Sequence, residues 1–178
     1  MINLVKITEL SHELLAKTKN ARIAIDMTCG NGQDTIFLAE ISKEVYAFDI
    51  QEIAINNTKR LLKENKIDNV IVKKESHELF DIYVNTPFDI AIYNLGFLPG
   101  GDKKIKTEAL TVIKSLEKAV SLLANDGRII IVIYLHDKLE SESIEGFVSN
   151  LNSEFDVMKY KILNKKKSPY IIEIHRVK

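Results

Sequence analysis

The sequence predicts an α/β fold: a seven-stranded, mostly parallel sheet with helices on both faces, closed by an antiparallel hairpin at its C-terminal end. Three observations carry this. Short apolar runs alternate with helix-periodic segments along most of the chain, the pattern of strands joined by crossover helices. The segment Ile23-Ala-Ile-Asp-Met-Thr-Cys-Gly-Asn-Gly-Gln-Asp-Thr35 reads as a buried strand, a tight glycine loop and a helix start. The last two strand-like segments are separated only by Asn164-Lys-Lys-Lys-Ser-Pro169, too short for a crossover helix but suited to a hairpin.

Taken in order, an amphipathic helix is expected over Ile7 to Lys17, then a first strand Ile23 to Met27 and a helix Gln33 to Ile41. The second strand, Glu44 to Asp49, leads into a helix Glu52 to Asn65 with Ile53, Ile55, Leu61 and Leu62 on its inner face. Val70 to Lys73 and Asp89 to Tyr93 form strands three and four. A long helix from Thr107 to Ala124 places Leu110, Ile113, Leu116, Val120 and Leu123 at helical spacing. The turn residues Asn125-Asp-Gly127 end it. Strand five, Arg128 to Leu135, is almost continuously apolar, as a central parallel strand buried on both faces must be. A helix over Ser141 to Leu151 precedes the hairpin strands Phe155 to Leu163 and Tyr170 to Val177. No repeat, low-complexity segment or linker interrupts the chain, so residues 1–178 are read as one domain.

Composition narrows the class. The 178 residues are 46% hydrophobic and 28% charged, typical of a globular protein with an ordinary core. Twenty-five basic and 25 acidic side chains cancel, so a polyanion would have to be met by a local patch rather than by net charge. The single cysteine, Cys29, excludes an intrachain disulfide and a cysteine-based zinc site, and no metal is expected. Met1 to Leu10 lacks the apolar core of a signal peptide, and no run approaches the roughly 18 apolar residues of a membrane span. A cytoplasmic location without membrane contact is the simple expectation.

The first loop has the features of a cofactor site. Gly30 and Gly32 let the backbone turn tightly and approach a ligand, and the helix starting near Gln33 aims its free amides at the same spot. Asp26, at the end of strand one, stands where a carboxylate could receive an amino group. Asp49, at the end of strand two, is placed to accept both hydroxyls of a ribose. Thr28, Asn31, Asp34 and Thr35 complete the loop, Ile50 and Gln51 follow Asp49, and Ser76 and His77 follow strand three, where they would flank an adenine. The plainer roles are a helix N-terminal partner for Asp26, a strand-ending turn acid for Asp49 and a surface position for His77. Cys29 reads as a small packing residue. Gly30-x-Gly32-x-x-Thr35 lacks the third glycine of the dinucleotide pattern. With the terminal hairpin, this favours S-adenosyl-L-methionine over NAD and a Rossmann-like class I methyltransferase fold over a dinucleotide-binding one.

A second unusual stretch is Ile90-Ala-Ile-Tyr-Asn-Leu-Gly-Phe-Leu-Pro-Gly-Gly-Asp-Lys103. The carboxyl end of strand four borders the topological switch of an open sheet, where ligands bind. Asn94 offers a carbonyl acceptor to a substrate amine. The glycines Gly96, Gly100 and Gly101 let the backbone approach a bulky acceptor, Leu95, Phe97 and Pro99 stand with them as substrate-binding positions, and Asp102 and Lys103 supply one charge of each sign.

Asp26-Met-Thr-Cys-Gly-Asn-Gly-Gln-Asp-Thr35, Phe48-Asp-Ile-Gln51, Ser76-His77 and Asn94-Leu-Gly-Phe-Leu-Pro-Gly-Gly-Asp-Lys103, with Leu163-Asn164 and Pro169-Tyr170, together resemble a small rRNA methylase family (the MnmM/YtqB type). The resemblance spans nearly the whole chain, and the string from Asn94 to Lys103 is its most specific part. It implies a class I fold, S-adenosyl-L-methionine as donor, and as acceptor the 5-aminomethyl group of wobble 2-thiouridine in tRNA. After strand five the family usually reads Tyr-Pro-Gly-His followed by glycine, whereas this chain has Tyr134-Leu-His-Asp-Lys-Leu139. The family's Gly-Gly turn before that strand is Asp126-Gly127 here.

Methyl transfer to an amine is an in-line displacement in which alignment of nucleophile, methyl and sulfur can supply roughly 7–11 kcal/mol. Asn94 and the backbone of Leu95 to Phe97 are expected to position the amine, Asp102 to accept a proton, and Tyr134 or His136 to line the pocket. Lys103, Lys104 and Lys106 beside this site, and Lys165 to Lys167 in the hairpin loop, are candidates for RNA phosphates. The catalytic domain, or a homodimer of it, would then hold an anticodon stem-loop. Alternatives are methylation of rRNA or a small amine, an NAD-dependent oxidoreductase, and a non-catalytic adenosine-binding module.

Overall fold

Residues 7–96, 109–134, 138–165 and 168–178 are described by a computed structural model. Its strands are β1 (Ala21–Asp26), β2 (Ser42–Asp49), β3 (Val70–Lys74), β4 (Phe88–Leu95), β5 (Leu123–Ile133), β6 (Phe155–Tyr160) and β7 (Tyr170–Arg176). The helices are α1 (Ile7–Leu15), α2 (Gln33–Ile41), α3 (Glu52–Glu64), α4 (Ala109–Leu122) and α5 (Lys138–Ser149), with a 3-10 turn at His77–Ile82 that the sequence pattern did not reveal. The seven strands form one sheet in the order β3-β2-β1-β4-β5-β7-β6. β1 to β5 run parallel, whereas β7 is antiparallel to β5 and β6 antiparallel to β7. The strand order reverses between β1 and β4, so the loops leaving those two strands share one crevice.

Alternation along the central strands decides which residues meet which helices. Ile90 and Ile92 of β4 and Ile130 and Val132 of β5 face a layer formed with Leu14 and Leu15 of α1 and Leu38 of α2. Ala91, Tyr93 and Leu95, with Ile129, Ile131 and Ile133, face the opposite layer, formed with α4 and α5 through Val112, Leu116, Ala119, Ile144 and Val148. A period of two in side-chain direction therefore puts Asn94 on the α1/α2 side, in line with Ile90 and Ile92.

Two expected helix faces are rotated. In α3, Ile55 and Leu62 are buried as expected, but Ile53 is 47% exposed and Leu61 only partly buried, with Ala54 and Thr58 pointing inward in their place. Leu110 of α4 is 65% exposed, while Val112, Ser115, Leu116, Ala119 and Val120 form the buried stripe. The reason is close packing: Ala119 and Ser115 are small, and the Ser115 hydroxyl is 2.7 Å from the buried Tyr93 hydroxyl. Leu123 is buried as expected, but as the first residue of β5. That strand begins ahead of the expected Arg128 and ends at Ile133, ahead of the expected Leu135.

At the end of the sheet away from the crevice, Arg128 is buried against Glu173, with Nε 3.1 Å from Oε1. Its Nη1 donates to the Thr18 hydroxyl at 2.8 Å, and the Tyr160 hydroxyl donates to Glu173 Oε2 at 2.6 Å. This network ties β5, β6 and β7 to the segment after α1. Asp126 has a left-handed φ of 60° and is 2.7 Å from His175. Gly127 is beside it for a steric reason: a Cβ there would lie 2.7 Å from the Ala124 carbonyl and 2.8 Å from that of Asp89, both backbone atoms that cannot rotate away. Gly127→Ala is expected to destabilise the protein by about 1–3 kcal/mol. Gly146→Ala, in α5 with nothing within 4 Å of the new Cβ, should be neutral or stabilising by up to about 1 kcal/mol. Denaturant unfolding of the two variants checks the contrast.

Candidate active site

The glycine loop after β1 is built by two left-handed glycines. Gly30 has φ 51° and Gly32 φ 85°, a conformation in which a β-carbon costs energy. The Gly32 amide donates to the Cys29 carbonyl at 2.7 Å. At Gly32 there is a second constraint, because a Cβ would come within 3.0 Å of the Thr58 backbone. α3 braces the loop: the Thr58 hydroxyl donates to the Gly30 carbonyl at 3.1 Å, and Asn57 Nδ2 donates to Asn31 Oδ1 at 2.9 Å. α2 begins immediately after Gly32 with no side-chain cap, which leaves its first amides available to a ligand carboxylate.

Asp26 is 0% exposed. Its Oδ2 accepts from the Thr35 hydroxyl at 2.6 Å and its Oδ1 from the Thr28 amide at 3.2 Å. Burial, then the charge of Asp34, push its carboxyl up to about 8 against the opposing hydrogen bonds from Thr35 and Thr28. Asp26 is thus an internal brace of the loop, with mostly the protonated form at neutral pH. Asp49 differs in being part-exposed and in how it is held: Oδ2 accepts from the Gly30 amide at 3.1 Å and Oδ1 from the Gln51 amide at 2.9 Å. Burial raises its carboxyl, and these backbone donors oppose the rise. The carboxylate is therefore fixed in the crevice between β1 and β2, with lone pairs left over. Ile50 beside it is exposed.

On the other wall, Ser76 caps the 3-10 turn by accepting from the Glu78 amide at 3.4 Å. His77 is not on the surface. It is 8% exposed, packs edge-on against Tyr93 with ring centroids 5.7 Å apart, and its Nδ1 is buried without a hydrogen-bond partner among the described residues. Burial pushes the imidazole down to about 4, so it is neutral. Cys29 is buried, and burial pushes its thiol up, which suits a packing residue and not a nucleophile.

Asn94 closes the crevice from β4. Its amide donates to the Thr28 hydroxyl at 2.8 Å, and its Nδ2 donates to Asp34 Oδ2 at 3.1 Å. The other oxygen of Asp34 faces His12 Nε2 of α1 at 2.7 Å, and the His12 ring lies flat on Phe37 of α2, 3.9 Å between centroids. Tyr134, just past β5, leans over Gly96: a Cβ on that glycine would lie 3.1 Å from the tyrosine ring. Burial, then Asp34, raise the Tyr134 phenol, and a hydrogen bond with Asn94 opposes the rise. Of the sequence candidates, the structure brings together Asp26, Thr28, Gly30, Asn31, Gly32, Asp34, Thr35, Asp49, Asn94, Leu95, Gly96 and Tyr134. Phe97, Pro99, Gly100, Gly101, Asp102, Lys103, Lys104, Lys106, His136, Lys166 and Lys167 lie outside the described residues. His12, Phe37, Asn57 and Thr58 were not foreseen; the clue available for His12 was its place three residues before Leu15 on the apolar stripe of α1.

The features present fit an adenosyl cofactor: a fixed carboxylate at the end of β2, a glycine loop opening on an uncapped helix, and a buried imidazole whose Nδ1 has no partner among the described residues. A family model described as "Putative rRNA methylase" matches residues 45–176. The chain is 31% identical to a chloroplastic tRNA (mnm5s2U34)-methyltransferase of Arabidopsis thaliana, over 94% of this chain and 68% of that one. Among solved structures, a "putative rRNA-methylase" from Clostridium thermocellum superposes with a TM-score of 0.93 at 32% identity, covering 98% of this chain and 100% of the other. A "putative methyltransferase" from Streptococcus mutans in complex with SAH gives 0.92 at 36% identity, covering 99% of each chain.

Proposed function

The chain belongs to the rRNA methylase family, and on that footing we propose that its acceptor is the 5-aminomethyl group of wobble 2-thiouridine in tRNA, converted to 5-methylaminomethyl-2-thiouridine. The enzyme is an S-adenosyl-L-methionine-dependent class I methyltransferase. The observation that carries the acceptor reading is Asn94: an amide oriented by Asp34 at the mouth of the cofactor crevice, in a protein similar to one that is named for this tRNA modification.

S-adenosyl-L-methionine, when bound, supplies a methyl group already activated on a sulfonium. The residues that would hold it are Asp49 at the ribose hydroxyls, the loop from Thr28 to Gly32 with the first turn of α2 at the amino-acid end, and Ser76 and His77 near the adenine. Because the carboxylate of Asp34 only accepts hydrogen bonds, it fixes Asn94 Nδ2 as the donor, and the two lone pairs of Asn94 Oδ1 give it the capacity to accept an N–H from the substrate beside the Tyr134 contact. Accepting that hydrogen bond aims the amine lone pair at the methyl carbon. The amine, with an ordinary pKa of about 10 for an alkylamine, must lose a proton before it attacks, and we assign that step to Asp102. The Tyr134 ring walls the pocket above Gly96, and on the same reading His136 serves the acceptor pocket while Lys103 and Lys104 meet RNA phosphates.

Labelled methyl transfer to total RNA from cells lacking this gene, followed by nucleoside mass spectrometry, tests the reading. Label on 5-aminomethyl-2-thiouridine of tRNA supports it; label on another nucleoside keeps the enzyme class and overturns the acceptor. An anticodon stem-loop should suffice as substrate. Its methylation should fall steeply with added salt if the lysines hold phosphates.

Asp26 gives the cofactor step a pH signature. Its carboxyl is pushed up to about 8, whereas in the unfolded chain it has an ordinary value, so free-enzyme stability from this group is greatest in acid and declines as pH rises from the ordinary carboxylate range through about 8. A bound ammonium and sulfonium favour the ionised form. Cofactor binding at neutral pH is therefore expected to release about one proton, and affinity should rise with pH up to about 8. Calorimetry in buffers of different ionisation enthalpy reads the proton directly. Asp26→Asn should abolish the release; an unchanged release would assign it elsewhere.

A further inference from the structure

We propose that His12 is a positioning residue for methyl transfer: by holding one oxygen of Asp34 it fixes the other on Asn94 Nδ2, and so sets the direction in which Asn94 Oδ1 meets the acceptor. The inference rests on the acceptor reading above, in which Asn94 Oδ1 receives the amine.

Three elements distant in sequence converge here. α1 contributes His12, the first turn of α2 contributes Asp34, and the end of β4 contributes Asn94. The two Asp34 oxygens are divided between the other two residues, 2.7 Å from His12 Nε2 and 3.1 Å from Asn94 Nδ2. Neither contact is needed to dock its own element. α1 is anchored by the buried Leu14 and Leu15, and the Asn94 backbone is already held by the Thr28 hydroxyl. Nor does Asp34 need a counter-charge, since a carboxylate in the first turn of a helix is favoured by the helix itself.

What Asp34 would lack without His12 is a single orientation. A carboxylate with one partner can turn about its side-chain torsions, and the Asn94 amide, which also bonds Tyr134, would lose the fixed acceptor it aligns on. His12 removes that freedom because its own ring is fixed: it stacks on Phe37 with planes 1° apart, and Phe37 stands one turn after Asp34 on the same face of α2. The ring plane and the carboxylate are thus set by one helix. Tyr134, just past β5, interacts with both Asp34 and Asn94, and the Asp26 carboxyl is close enough to feel the Asp34 charge.

Two substitutions separate the parts. His12→Phe keeps a ring to stack on Phe37 and removes the nitrogen; His12→Gln removes the ring and returns an N–H of similar reach. The assay is single-turnover methylation of a synthetic anticodon stem-loop carrying 5-aminomethyl-2-thiouridine, at saturating S-adenosyl-L-methionine, with S-adenosylhomocysteine affinity and melting temperature measured in parallel. His12→Phe is expected to slow transfer about tenfold, since misalignment at the reacting atoms is costly, with KM and S-adenosylhomocysteine affinity within about twofold of wild type. His12→Gln should recover the rate to within about threefold. The double variant His12→Phe/Asp34→Asn should be no slower than Asp34→Asn alone, because the two act through one path. Wild-type transfer by His12→Phe overturns the inference. So does a loss that appears equally in affinity and melting temperature and is not recovered by His12→Gln. If the wild-type enzyme itself fails on this RNA, the acceptor reading has failed instead.

Discussion

Replacing Asn94 with alanine is expected to lower turnover by about 10²–10³-fold while leaving the affinity for S-adenosylhomocysteine within about threefold. The split follows from how Asn94 is held. Its backbone amide is fixed by the Thr28 hydroxyl and pairs within β4 and β5, none of which the substitution touches. The glycine loop is braced by Thr58, Asn57 and Asp49 from the other side of the crevice, so the cofactor's own contacts survive. What is lost is the side-chain carbonyl that orients the amine, an interaction completed only when nucleophile and methyl are in line. Asn94→Asp makes a sharper test of the chemistry. It would place a second carboxylate beside Asp34 and favour the ammonium form of the acceptor, so its turnover should fall as well, with the rate recovering as pH rises. Equal losses of turnover and cofactor affinity in Asn94→Ala would show that the residue serves the cofactor pocket and not the acceptor.

How much of this was legible in the chain depends on what each feature needs. Strands buried on both faces must be apolar runs, so β1, β4 and β5 announce themselves, and a link too short for a crossover helix, nine residues between Tyr160 and Tyr170, leaves an antiparallel hairpin for β6 and β7. Helix faces were harder. Ile53 and Leu110 satisfy a helical period, yet stand outside the core, because the buried stripe is chosen by close approach, which favours Ala54, Ser115 and Ala119, and not by hydrophobicity alone. Asp26 and Asp49 could be placed at strand ends from sequence, but their opposite situations could not. One is sealed under the loop and mostly protonated; the other is held open by two backbone amides. The alternation along β4 already put Asn94 in register with Ile90 and Ile92. Which helices cover that side is a property of the crossovers, and so the convergence of His12 and Asp34 on Asn94 emerges only from the folded chain.

The second large effect is expected at Asp49. Asp49→Ala should weaken S-adenosylhomocysteine binding by about 100-fold, near 3 kcal/mol at about 1.4 kcal/mol per tenfold, with turnover at saturating cofactor within about threefold. The carboxylate is half-desolvated, and its pKa is raised by burial, so its hydrogen bonds to a pair of ribose hydroxyls are charge-assisted and poorly screened. It is also pre-aimed, since the Gly30 and Gln51 amides take one oxygen each, and no conformational freedom has to be removed on binding. Alanine removes both the hydroxyl acceptor and the tie that holds Gly30. Asp49→Asn does not rescue: its amide nitrogen would face one of those two backbone N–H groups, donor against donor. Both variants should therefore lose affinity, and Asp49→Asn should recover little of it. The adenosyl moiety is present unchanged in donor and product, so the loss should be nearly the same for S-adenosyl-L-methionine and S-adenosylhomocysteine, which is what separates a ribose anchor from a residue that senses the sulfonium. Calorimetric titration of both ligands decides between them: a loss confined to S-adenosyl-L-methionine would move Asp49 from the ribose to the reacting end of the crevice.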